Sequence, residues 1–159
     1  MLRKANIKDA ERIHELIKFW ARKNAVLERS LNYIFEHIRD YWVCEYKNKV
    51  VGACSLHVIG WQGLAEIKSL VVDRRYHRKG IGKDLVEACI EEARNLQAKS
   101  VFALTFVPNF FKKCGFKKID KKKLPHKIWS DCVNCIYFPN CKEEALIFHL
   151  KKPRTNNVL

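Results

Sequence analysis

The sequence predicts a single α/β domain in which helices sandwich a mixed, mostly antiparallel sheet. Three observations carry that prediction. Apolar runs of strand period and stripes of helical period follow one another in the order βααβββαβαββ, with no internal repeat and no linker. A chain of 159 residues, 48% of them hydrophobic, can bury a real core as one domain. The densest pattern, Leu64–Gln97, reads as a strand, a basic turn, Gly-Ile-Gly and an amphipathic helix. The domain is expected to span 1–152, with a loose tail over 153–159.

Taken in order, Leu2–Ala5 forms a short first strand. Asn6 with Asp9 three residues on caps a helix that turns Ala10, Ile13, Leu16, Ile17 and Trp20 inward. Ser30 caps a second helix, Leu31–Ile38, whose buried face is Leu31, Ile34, Phe35 and Ile38. Strands Tyr41–Tyr46 and Val50–Val58 pair across Lys47-Asn48-Lys49 as a hairpin. Gly60–Gly63 turns the chain into the strand Leu64–Val72. The central helix runs from Lys83, its apolar stripe being Leu85, Val86, Ala88, Cys89, Ile90, Ala93 and Leu96. Strand Ser100–Thr105 follows. A short helix over Asn109–Lys113 ends with Gly115 as its cap. Phe116–Ile119 and Ala145–Leu150 are the last strands.

The turn before the central helix carries the first functional signal. Glycines there free the backbone to curl its N–H groups inward, and the helix start adds unpaired donors. Such a nest suits phosphate, and Arg74, Arg75, Arg78, Lys79 and Lys83 supply countercharge. A dinucleotide fingerprint requires a small residue where Leu85 stands. A Walker loop requires Gly in place of His77 and Ser or Thr in place of Asp84. Neither fits.

Composition narrows the classes further. No apolar run approaches a membrane span, and the N-terminus lacks the apolar stretch of a secretory signal, so a cytoplasmic protein is expected. Seven cysteines, an odd count, read as thiols or metal ligands rather than a disulfide framework. The net charge of +14 fits a polyanionic ligand. The lysine run from Lys112 to Lys123 reads as solvated surface rather than a nucleic-acid face. It carries no aromatic stacking pattern and no recognisable nucleic-acid module.

Strand, basic loop, His77-Arg78-Lys79-Gly80-Ile81-Gly82 and helix together resemble motif A of the GNAT acetyltransferases, with His where that family favours Gln or Arg. Phe110-Phe111-Lys112-Lys113-Cys114-Gly115-Phe116 resembles its motif B. The resemblance implies a GNAT fold with splayed strands four and five (Leu64–Val72 and Ser100–Thr105). It implies acetyl-CoA as cosubstrate, with diphosphate on His77, Arg78, Lys79, Gly80, Ile81, Gly82 and Lys83. Pantetheine would run along Leu70 and Val72, and the Val71 amide would face the thioester oxygen. Phe111 stands where the family places a tyrosine acid. A thiol of pKa about 8.5 leaves as thiolate without one, but the attacking amine still needs a base. Glu66 is the candidate, placed by strand alternation on one face with Lys68 and Leu70. A plain carboxylate–lysine pair is the alternative. Cys54 and Cys114 have no His partner and read as core.

More narrowly, the chain is similar to the acetyltransferase domain of N-acetylglutamate synthases and their short relatives. The likeness rests on Glu28-Arg29-Ser30, Ala65-Glu66-Ile67-Lys68-Ser69-Leu70, Ala103-Leu104-Thr105 and Leu124-Pro125. It implies L-glutamate as substrate and a place in arginine biosynthesis. Arg29 would bind a substrate carboxylate, aided by Ser30, Lys68 and Lys127, with Leu104 and Thr105 at the backbone end. Arg29 as an exposed neighbour of a helix cap stays open, as does monomer against homodimer. The chain has no amino-acid-kinase segment, so feedback through one is not expected. Finally, Cys132, Cys135 and Cys141, with His126, form part of a zinc pattern. Structural zinc, a disulfide and plain thiols all remain open for it.

Overall fold

The computed structural model describes residues 1–124, 132–135 and 140–151. His126, Lys127, Pro125 and the expected tail lie outside the described residues. Within them the elements run β1 (Leu2–Lys4), α1 (Ala10–Ala21), α2 (Leu31–Glu36), β2 (Tyr41–Tyr46), β3 (Lys49–Ile59), β4 (Leu64–Val72), α3 (Ile81–Asn95), β5 (Ser100–Thr105), α4 (Pro108–Lys113), β6 (Lys117–Ile119) and β7 (Glu144–His149). That is the order read from the sequence. The seven strands stand as β1-β2-β3-β4-β5-β7-β6, antiparallel throughout except for β4 beside β5. No helix among the described residues is long and apolar enough to cross a membrane.

The helix starts follow their caps. The Asn6 side chain accepts from the Lys8 N–H while Asp9 Oδ2 accepts from the Asn6 N–H at 2.8 Å, a reciprocal cap. Ser30 Oγ accepts from the Tyr33 N–H at 3.1 Å and starts α2. That helix stops at Glu36, passing through a tighter turn at Ile38–Asp40, so Phe35 is left exposed rather than buried. The helix α3 starts at Ile81, two residues earlier than its apolar stripe indicates, because Gly80 (φ +79°) provides a left-handed N-cap.

Three groups of buried side chains hold the layers together. On one sheet face α3 seats Leu85, Val86, Cys89, Ile90 and Ala93 against Leu56, Ala65 and Ile67. Each large side chain among them gains about 1.5–3 kcal/mol over an exposed one. On the other face α1 and α2 cover Tyr41, Val43, Ala53 and Val71. Beyond them Phe102, Leu124 and Ile147 close the end of the sheet.

Two irregularities in β4 open the sheet. Its pairing with β5 covers only Leu64, Ala65 and Glu66, so the strands part beyond Glu66. Against β3 the register slips between Ala53 and Ser55, where β4 carries one extra residue and Ser69 takes φ +52°. The bulge reverses the alternation. Leu70 therefore packs with the α3 side while Val71 joins the α1–α2 side. Strict alternation, which puts Leu70 on the face of Glu66 and Lys68, fails at this point.

Candidate functional site

Two cavities meet at the fork between β4 and β5. They share Ala25, Val26, Leu70 and Val107 as walls.

The first, of about 510 Å³, faces the turn between β4 and α3. Arg78 and Gly80 both take left-handed conformations, φ +62° and +79°, which curl the intervening N–H groups toward one side. The N–H groups of Ile81, Gly82 and Lys83 belong to the first turn of α3 and lie outside its i→i−4 ladder. Gly82 keeps this floor open to an aromatic neighbour, since a Cβ there would stand 3.3 Å from the Phe110 ring. Asp73 shapes the turn. Its carboxylate accepts from the Arg75 N–H at 3.0 Å, the Arg75 guanidinium at 2.8 Å and Arg12 at 2.8 Å. The hydrogen bonds from Arg75, opposed by burial and aided by Arg12, hold it well below the usual carboxylate range.

His77 lines this cavity, but its ring is a strut. It stacks on Trp20 at 5.0 Å and its Nε2 donates to the Val72 carbonyl at 2.9 Å. Trp20 Nε1 donates to the same carbonyl at 2.8 Å, so that oxygen is already engaged within the protein. Trp20, read from the sequence as core, thus also braces the turn.

The second cavity, of about 400 Å³, holds the polar residues. Glu66, 2% exposed, is the last rung before the strands part. Its Oε1 stands 3.7 Å from Lys68 Nζ. Both project on the α1–α2 face, opposite His57 and Ser55 of β3. Burial first, then the charge of Lys68, pushes the His57 imidazole down to about 4, so the ring is neutral at pH 7. Burial also pushes the neighbouring Tyr41 phenol up to about 12. From the connector before α2, Arg29 lays its guanidinium over the Tyr33 ring at 5.0 Å, and its Nε is buried without a hydrogen-bond acceptor among the described residues.

The remaining sequence candidates divide. Leu104 and Thr105 line the polar cavity, and Thr105 Oγ1 accepts from the Val107 N–H at 2.9 Å. Ser30 is not among the lining residues, and its hydroxyl accepts from the Tyr33 N–H as the cap of α2. Phe111 faces the polar cavity and is 4% exposed, whereas Phe110, which sequence reading passed over, lines the turn side. Tyr33 was also missed, since Arg29 lies before the cap of α2 and no helical spacing links the two in the sequence. Cys132, Cys135 and Cys141 border the polar cavity, and among the described residues they do not form a group of three ligand atoms within 4.8 Å of one another. Cys54 is fully buried. Its desolvation and the neighbouring Cys89 sulfur at 3.7 Å push its thiol up, which suits a core residue and not a nucleophile.

A splayed β4–β5 fork, a nest of main-chain donors at the head of α3 and a buried carboxylate at the fork define an acyl-transfer scaffold of one kind. The chain belongs to the acetyltransferase (GNAT) family, which it matches over residues 7–116, and it is an acetyl-CoA-dependent N-acetyltransferase. It is 39% identical to an uncharacterized N-acetyltransferase of Chlorobaculum tepidum over 146 residues, 92% of this chain and 94% of that one. It is 34% identical to the amino-acid acetyltransferase of Mycobacterium tuberculosis, over 82% of this chain and 76% of that protein. Among solved structures it is similar to N-acetylglutamate synthase from Neisseria gonorrhoeae complexed with coenzyme A and L-arginine. There the TM-score is 0.79 at 25% identity, over 96% of this chain and 33% of the synthase.

Proposed function

We propose that the chain transfers the acetyl group of acetyl-CoA to the α-amine of L-glutamate by direct attack. The observation that carries this reading is the pairing, in one cavity at the fork, of a buried carboxylate with an Arg29 Nε that lacks an acceptor among the described residues. An amino acid supplies what each requires: an ammonium to deprotonate and a carboxylate for the guanidinium.

In this reading the coenzyme diphosphate rests on the N–H groups of Gly80–Lys83. Pantetheine lies along β4 beyond Glu66, where β5 no longer pairs with it. Glu66, directly or through one water, takes a proton from the substrate ammonium. The freed nitrogen lone pair attacks the thioester carbonyl carbon, and the Val71 N–H faces the oxygen as it gains charge. Collapse breaks the C–S bond. The thiolate leaves and takes up, through water, the second proton that the amide nitrogen sheds on collapse, since Phe111 offers none; Glu66 then returns its own proton to solvent. Lys68 balances the Glu66 charge, and Arg29 grips a substrate carboxylate. The named relatives, an amino-acid acetyltransferase and an N-acetylglutamate synthase, support an amino-acid acceptor, and with it a role in cytoplasmic arginine biosynthesis.

Glu143 borders the same cavity and favours a second reading. A second carboxylate there suits an amino acid with an uncharged side chain, leaving Arg29 for the α-carboxylate. An acetyl-transfer assay against free amino acids, with glutamate and glutamine side by side, separates the two. The proposal expects the higher kcat/KM with glutamate; preference for glutamine establishes the second reading, and no transfer to either overturns both.

A further inference from the structure

Next to the polar cavity, on the far side of β3, three side chains converge that the transfer reaction does not use. His37 Nδ1 stands 3.0 Å from Asp40 Oδ2, and His57 Nδ1 stands 3.6 Å from the same oxygen. One donor atom from each of the three residues lies within 4.8 Å of the other two. The imidazole planes are tilted 54° to each other, with centroids 5.3 Å apart. His37 and Asp40 come from the tight turn after α2, and His57 from near the end of β3. The group therefore ties a loop to the sheet.

Geometry fixes how the His57 ring is held. Its Nε2 lies 3.0 Å from Ser55 Oγ, which also stands 3.0 Å from the Lys68 carbonyl oxygen. Nδ1 is therefore the ring nitrogen that faces the Asp40 carboxylate. A histidine ligand with its second nitrogen anchored on a neighbour is also how metal-binding imidazoles are held. Bonds of about 2.0–2.1 Å to a tetrahedral ion place neighbouring donors roughly 3.3 Å apart, and the two gaps at Asp40 bracket that spacing. Two imidazoles and one carboxylate suit zinc or cobalt better than magnesium or calcium, which prefer oxygen alone.

We propose that His37, Asp40 and His57 form a binding site for one divalent transition metal of the zinc and cobalt class, with solvent completing its shell. The half-exposed flank of His37 and Asp40 provides the entry path. A bound ion fastens the turn after α2 to β3 and so steadies Tyr33, one helical turn before His37, over which Arg29 lies.

The site is tested with the whole chain and metal alone. Cobalt(II) titration followed by visible absorption is expected to give ligand-field bands at one equivalent, without the strong sulfur-to-metal charge transfer that thiolates produce. Those bands are expected to persist in a Cys132→Ser, Cys135→Ser double variant. Replacing one of three ligands, in His37→Ala or Asp40→Asn, is expected to weaken cobalt binding by about 100-fold or more. Crystals of the unaltered protein soaked in cobalt or zinc give a second reading that no folding defect can confuse. An anomalous peak among these three side chains supports the site. Its absence at millimolar metal, or bands carried by the cysteines, overturns it. None of these results bears on acetyl transfer.

Discussion

The two cavities that meet at Leu70 and Val107 are built in different ways. The turn-side cavity takes its main-chain N–H donors from one continuous stretch, Val72–Lys83, with Trp20, Val26, Val107 and Phe110 as further walls. Its side chains brace that backbone: Asp73 through Arg12 and Arg75, and His77 through Trp20 and Val72. The polar cavity draws on separated segments, including the connector before α2, the middle of β4, the end of β5 and the chain near Cys132. Its chemistry lies in side chains such as Glu66, Lys68 and Arg29. A main-chain site tolerates exchange of side chains provided the backbone keeps its curl. A side-chain site is redirected by single substitutions. In the proposed reading, one half serves a common coenzyme while the other sets the acceptor.

That contrast predicts where substitutions strike. The largest effect is expected at the fork, where Glu66→Gln keeps shape but removes the base. Turnover should fall by roughly 10²–10⁴-fold with near-normal coenzyme affinity. Steady-state kinetics with calorimetry of coenzyme binding checks this, and full turnover removes Glu66 from the reaction. Arg29→Ala should raise the KM for the amino acid by roughly 10- to 100-fold with a smaller change in kcat. Arg29→Lys should restore little of it, because a lysine cannot make the two-pronged contact. On the coenzyme side, Gly80→Val forces a β-branched residue to φ +79° at a cost of about 1–3 kcal/mol. Coenzyme affinity is expected to drop roughly tenfold, whereas a side-chain change at Lys79 in the same turn should matter less.

The smallest effect concerns pH. The Asp73 carboxylate titrates lower folded than unfolded, so it contributes stability that is fully present above its unfolded value of about 3.9 and is lost as pH falls below it. Asp73→Asn should melt lower at pH 7 and lose less Tm on acidification, so that the two curves draw together as pH falls below about 3.9. Asp9, lowered by its bonds to Arg3 and the Asn6 amide against the cost of burial, leaves a residual acid slope in both. Parallel melting curves for the two proteins would show that the Asp73 cluster does not couple the turn to stability.

The same contrast explains what was legible beforehand. Strand and helix order could be read because period 2 and period 3.6 patterns are local, and the nest because its glycines lie within six residues. Glu66 and Lys68 could be placed on one face because they are two apart on a strand. Leu70 could not, because the bulge at Ser69 arises from pairing with β3 and leaves no local signature. Ser30 accepts from the Tyr33 N–H as the cap of α2 and stands outside the residues that line the polar cavity, a placement its sequence neighbours do not reveal. The approach of His37 and Asp40 to His57 depends on the sheet bringing β3 beside the turn after α2, and no spacing in the sequence encodes that.

The central claim is that one coenzyme lies across both cavities, its diphosphate on the head of α3 and its thioester end at Glu66. A crystal structure with coenzyme A and glutamate tests it most directly. The account predicts diphosphate oxygens on the N–H groups of Gly80–Lys83, the coenzyme sulfur between β4 and β5, and the amino-acid nitrogen within reach of Glu66. Coenzyme bound away from the Gly80–Lys83 turn, or an amino acid with its amine turned from Glu66, would contradict it.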